Sequence, residues 1–201
     1  MTTYPVHYTV EQPTRFSRVQ LLARALAFCI LGMIGISFGA VFFVLFLALP
    51  VYAASRVAPR TEYVAEGGLR VLNVLRWFAA VAAWAGLIAE HLPNRAPDET
   101  VQLSVEGAPH QTPGHSLLRM ITGLPSAFVL ALLCFLGVFV WLWAALSILI
   151  SERVGSAAFR YLVGLQRWSL RLLAYQASLV DEYPPFSFSE SEPLPAAQVT
   201  A

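Results

Sequence analysis

RWSLRLLAYQASLVDEYPPF, residues 167–186, places two guanidinium groups one helical turn apart on an apolar segment and closes it with an acid pair, a tyrosine and two prolines. The segment has a counterpart earlier in the chain. VLNVLRWFAAVAAWAGLIAEHLP (71–93) aligns with LVGLQRWSLRLLAYQASLVDEYPP (162–185), matching Arg76 with Arg167, Trp77 with Trp168, Glu90 with Asp181 and Pro93 with Pro184. Repetition at this distance marks one structural unit used twice.

The repetition extends outward. VHYTVE (6–11) matches VQLSVE (101–106), and in both the apolar residues alternate with polar ones, the period of a half-buried strand. A polar, Pro-containing stretch follows each, then a very apolar run, 21–54 in the first copy and 117–150 in the second. Each copy therefore reads as strand, long helix, shorter helix. The expected division is a first repeat at 1–95, a second at 96–188 and a flexible acidic tail at 189–201. Because the strands precede equivalent helices, they are expected to meet near a pseudo-twofold axis and pair, with Phe186 to Ser189 adding to the sheet.

Composition points to a membrane. The 201 residues are 57% hydrophobic and 12% charged, where a soluble domain carries about 25% charge. As single helices the long runs would reach ~50 Å against a ~30 Å hydrocarbon core. The expected fold is mainly α and integral to a membrane: four membrane helices from the tandem duplication, a small extramembrane β-sheet, and both termini on one face. Bacterial inner-membrane residence, multi-pass, follows as the expected location. Arginines near the helix ends fall into two similar sets, Arg15, Arg18, Arg24, Arg95 and Arg119 against Arg56, Arg60, Arg70, Arg153 and Arg160, so they do not orient the chain. A net charge of +1 excludes a nucleic-acid partner.

The shorter helix of the second copy carries the candidate site. Arg160, Gly164, Arg167, Arg171 and Ser178 recur at helical spacing as a polar stripe. Arginine at the centre of a bilayer costs roughly 2.5–3.5 kcal/mol, so the stripe lies at headgroup level or faces protein. Trp168, Tyr175 and Tyr183 are interface-preferring aromatics, and Pro184 and Pro185 stop the helix. Arg76, shared with Arg167, suggests that Arg167 pairs inside the fold, whereas Arg171, present only in the second copy, is the expected lipid or partner contact. Phospholipid and other membrane subunits or a second copy are the expected partners.

Enzyme signals are missing: the chain has no Ser-His-Asp order, HExxH, CxxC, phosphate loop or GxGxxG. Cys29 and Cys134 sit in apolar runs as small hydrophobes, and His110 and His115 read as a solvated loop pair. No metal or cofactor is expected.

The motif of Arg167, Trp168, Ser169, Arg171, Ala174, Tyr175, Asp181, Tyr183, Pro184, Pro185 and Phe186 resembles an uncharacterised bacterial membrane-protein family, the domain of unknown function 4389. The opening YPVHYTVEQPTRFSR (4–18) is similar to the family's start. The first copy departs from the pattern, with Ala80 in place of the second arginine and EHLPN (90–94) in place of the acid-Tyr-Pro-Pro-Phe ending. The resemblance implies no activity. The leading expectation is a non-catalytic scaffold or accessory subunit of a membrane assembly; a small transporter or channel, and a lipid-binding membrane-shaping protein, are the alternatives.

Overall fold

The computed structural model describes residues 4–33, 37–57, 67–105 and 113–189. Within them the order is β1 (Val6–Thr9), α1 (Arg18–Met33), α2 (Phe38–Val57), α3 (Gly68–Ala85), a 3-10 turn (Pro97–Glu99), β2 (Gln102–Val105), α4 (Pro113–Thr122), α5 (Leu124–Ser151) and α6 (Ser156–Gln176). Arg60, Glu106, His110, the side chains of Arg56 and His115 and residues 190–201 of the acidic tail lie outside what is described.

The strands pair as expected. β1 and β2 run antiparallel with Val6 opposite Val105 and Tyr8 opposite Leu103. Tyr8 and Leu103 hold the same place in VHYTVE and VQLSVE, so this pair lies where a twofold relating the two strands would pass. Residues 186–189 do not extend the sheet, which has two strands among the described residues. Their carbonyls are used by arginines instead, as described below.

Neither long run is one helix, contrary to the expectation. In the second run, Pro125 has no N–H to offer the carbonyl four residues back, so α4 closes at Thr122 with the Gly123 N–H bonded to Arg119 O (2.8 Å) and α5 starts with Pro125 in its first turn. In the first run, α1 ends at Met33 and α2 begins after Ser37, whose Oγ accepts the Ala40 N–H at 3.1 Å as a cap. The runs thus yield α2, of 20 residues, and α5, of 28, the latter ~42 Å long.

Both are long and apolar enough to cross a membrane, and within the windows that pass this test 22% and 17% of residues are buried. Their outward residues are apolar, among them Phe43 and Val44 on α2 and Phe128, Phe135, Phe139 and Trp143 on α5. α1 also exposes an apolar face through Val19, Leu22, Leu26, Ile30 and Met33. α6 is the opposite case, since nearly its whole circumference is buried between α5, α3 and the strands.

Helices α3 and α6 end alike. Beyond α3, Leu87 takes a left-handed conformation (φ 59°), with Ile88 N–H bonded to Ala83 O and Leu87 N–H to Trp84 O. Beyond α6, Ser178 does the same (φ 56°), with Leu179 N–H on Ala174 O and Ser178 N–H on Tyr175 O. This is the Schellman closure of a helix. It falls at the same register relative to Arg76 and Arg167, without glycine at the left-handed position in either copy.

Candidate functional site

The helix ends are held by two arginines that the sequence shows only as members of one set near the helix ends. From α1, Arg24 Nη2 donates to Ala89 O (2.6 Å) and Glu90 O (2.7 Å), just past α3, with its guanidinium carbon 5.4 Å from the centre of the Trp84 ring. From α4, Arg119 Nη1 donates to Tyr175 O (2.9 Å) and to Val180 O, just past α6, and its guanidinium lies 4.7 Å from the Tyr175 ring. Three residues of one centre align with three of the other: Trp84 with Tyr175, Ala89 with Val180, and Glu90 with Asp181. A cation at a helix C-terminus, bonded to carbonyls that lack helical partners, stabilises that end twice over, by charge and by hydrogen bonding. Arg24 and Arg119 stand as far apart in the chain as Val6 and Val101, the signal that could have revealed them.

A second pair of aligned contacts crosses between the two halves of the chain. Arg76 Nε donates to Leu103 O (3.0 Å), and Arg167 Nη2 to Tyr8 O (3.2 Å). Each helix arginine thus holds the strand of the other half. Arg167 also donates through Nη1 to Phe188 O at 2.8 Å, so it pairs inside the fold as expected.

Arg171 does not fit its expected role. It is 1% exposed, donating through Nη1 to Ser187 O (3.2 Å) and through Nη2 to Ser189 O (2.9 Å), with Tyr4 packed on the guanidinium. Burial raises the Tyr4 phenol pKa, and the Arg171 charge partly opposes it. Lipid does not reach this arginine, because the tail carbonyls occupy it. In the stripe only Arg160 is exposed. Asp181 pairs with Arg119 (2.7 Å).

The aromatic and proline residues assemble beside this. Tyr183 packs edge-on against Tyr175 and lies tilted on Phe186, which meets Trp168 edge-on. Trp168 is buried with Nε1 donating to Ser126 Oγ (2.9 Å), whereas Trp77 is half-buried. Pro184 is buried and Pro185 half-buried, turning the chain back so that Phe188 lies over Gly164. A Cβ on Gly164 would come within 2.7 Å of Phe188. The aligned residue of the first copy is Asn73, exposed, in the copy that lacks the tail.

Arg24 and Arg119 are interior, and Phe16 N–H bonds to Glu152 O (2.8 Å), bringing Arg15 and Arg18 beside the segment that carries Arg153. Among the described residues no group of three His, Cys, Asp or Glu is placed to hold a metal. The chemistry of the centres is therefore charge and hydrogen bonding: guanidinium groups fastening carbonyls of helix ends, strands and tail.

No curated protein and no solved structure matches the chain. Residues 114–187 match a family model described as Domain of unknown function (DUF4389), a narrower stretch than the resemblance suggested, beginning in α4 and ending with the tail on Arg171. Arg119, Arg167 and Arg171 all lie inside that stretch, so the part of the chain that holds its second helix end and its tail is the part similar to this family.

Proposed function

We propose that the chain is a non-catalytic integral membrane protein, a scaffold or accessory subunit of a larger membrane assembly, built from a duplicated strand–helix–helix unit. The observation that carries this is the exposed apolar surface of α2 and α5, whose length and composition suit hydrocarbon as their surroundings. Such a surface on a chain this small would be an aggregation hazard in water. The duplication is supported by the matched helix closures, the Arg24 and Arg119 centres and the crossed contacts to Leu103 and Tyr8.

In this reading four helical crossings, two per unit, give a multi-pass protein of the bacterial inner membrane with both ends on the cytoplasmic face. Two contacts support the shared face. Tyr4 and Ser189 meet at Arg171, and β1 lies against β2, so the chain makes an even number of crossings between these points. Phospholipid surrounds the exposed helices, and other subunits or a second copy are the partners.

Carbonate extraction of membranes tests residence: the protein should stay in the pellet, and release to the supernatant would sink the reading. Topology is tested in a Cys29→Ala, Cys134→Ala background carrying a single cysteine at position 3 or 198. An impermeant maleimide added to intact cells should give both positions the same result. Labelling of only one would overturn the shared face.

A further inference from the structure

We infer that the junction of residues 12–18 with 150–154 is a phosphate-binding site for the headgroup of an anionic phospholipid. This deepens the membrane reading and rests on it. Two adjoining clefts open there, one lined by Arg15, Ser151, Glu152 and Arg153, the other by Gln12, Pro13, Thr14, Arg153 and Val154. Two guanidinium groups, of Arg15 and Arg18, share one carboxylate, and that of Arg153 lines the clefts beside them. Glu152 accepts from Arg15 Nε at 2.5 Å and lies 3.5 Å from Arg18 Nε, so its charge is already shared. Arg153, exposed and lining both clefts, has no carboxylate bonded to it among the described residues.

The backbone there is fixed. Phe16 N–H bonds to Glu152 O, Gln12 Nε2 donates to Val154 O (3.0 Å), and Arg18 Nη2 donates to Ile150 O (3.4 Å). Glu152 takes a left-handed conformation (φ 56°) in capping α5. That turn ends α5 and leads directly to Arg153.

The clefts sit where the lipid-facing surface stops. Ile150 is 72% exposed at the end of α5 and Val19 74% exposed at the start of α1, so apolar side chains flank the arginines on both helices. An acyl chain against Ile150 and Val19 would bring its phosphate to the level of Arg15 and Arg153. A soluble phosphate would gain the charge contact but not the apolar one, so the lipid is the favoured source. Glu11, exposed and next to Gln12, is the nearest further acid in sequence and lines neither cleft.

The test uses the purified full-length protein in a neutral detergent, with melting temperature followed as phosphatidylglycerol, phosphatidylcholine or inorganic phosphate is added. Phosphatidylglycerol should raise the melting temperature with saturation, phosphatidylcholine should raise it much less, and inorganic phosphate at equal concentration should leave it unchanged. Arg153→Gln, which breaks no ion pair among the described residues, should weaken the apparent phosphatidylglycerol affinity about fivefold, the effect of one cationic side chain at an anionic membrane surface. Arg160→Gln, an exposed arginine elsewhere, should leave it unchanged. An equal response to phosphatidylcholine, an equal response to inorganic phosphate, or an equal loss in Arg160→Gln would each overturn the proposal. Failure of the carbonate extraction would overturn membrane residence itself and is read separately.

Discussion

The Arg24 and Arg119 centres share a geometry and differ in their endings. At Arg24 the aligned acid, Glu90, turns its Oε1 to the Ser17 N–H at 2.9 Å and contributes only its backbone carbonyl to the guanidinium. At Arg119 the aligned acid, Asp181, gives its carboxylate to the arginine, and Tyr175 adds a hydroxyl contact to Thr122 Oγ1 at 2.9 Å. The common part fastens a helix end. What the second half adds, the carboxylate and then the returning tail, closes its helix against solvent. Ala80 in place of Arg171 belongs with the same difference, because a copy without a tail has no carbonyls for that arginine to hold.

Removing each centre's arginine should give the largest effects and rank the two. Arg24→Ala takes the donor from two carbonyls, Ala89 O and Glu90 O, and should cost about 3–4 kcal/mol of stability in detergent, each buried orphan costing ~1–3 kcal/mol. Arg119→Ala does so for Val180 O alone, since Tyr175 O keeps the Ser178 N–H, and should cost about 2–3 kcal/mol. Asp181 is 42% exposed in its side chain, so its lost ion pair adds little to the second figure. Denaturant titration of both variants checks the order; a larger loss for Arg119→Ala would break the comparison.

The added tail gives the next effect. Arg171→Ala should cost about 2–3 kcal/mol, similar to Arg167→Ala, because both guanidinium groups are buried on tail carbonyls. Gly164→Ala should cost about 1–3 kcal/mol by pushing Phe188 off α6, whereas Asn73→Ala at the aligned exposed position should stay within ~0.5 kcal/mol. Limited proteolysis should then cut the tail of Arg171→Ala and Gly164→Ala and spare that of Asn73→Ala. Equal protection of all three would show that the tail is held by something other than these contacts.

Much of the architecture was legible in the sequence where side chains carry the signal. Alternation gave the strands and their pairing, and the Arg-Trp alignment gave α3, α6 and the internal pairing of Arg167. The breaks in the long runs were harder to read, because hydropathy is blind to the missing donor of Pro125. Arg24 and Arg119 were hidden for a different reason: their acceptors are backbone carbonyls, which have no residue identity, and a lone arginine near the end of an apolar run looks like an interface charge. Arg171 misled in the same way. Its partners are the carbonyls of Ser187 and Ser189, and nothing in their side chains announces that they lie over α6.

The smallest effect tests the junction at Glu152, an acid in whose aligned position the first half carries Val57. The hydrogen bond from Arg15 holds the Glu152 carboxyl below its ordinary value of 4.5, with the charges of Arg15 and Arg18 acting in the same direction. A carboxyl with a depressed folded pKa stabilises the fold above its unfolded value, and loses that contribution as pH falls through the folded value. The melting temperature of the wild type in neutral detergent should therefore decline below about pH 4.5 with a component absent from Glu152→Gln, and the two curves should run parallel above it. Because Arg15 and Arg18 are largely exposed, that component should be far smaller than the loss in Arg24→Ala. Carbon-detected NMR titration of the Glu152 carboxyl reads the same quantity without the rest of the fold. A midpoint at or above 4.5 would show that Arg15 does not hold it, and would leave the turn at Glu152 fastened by its backbone bonds to Phe16 and Ile148.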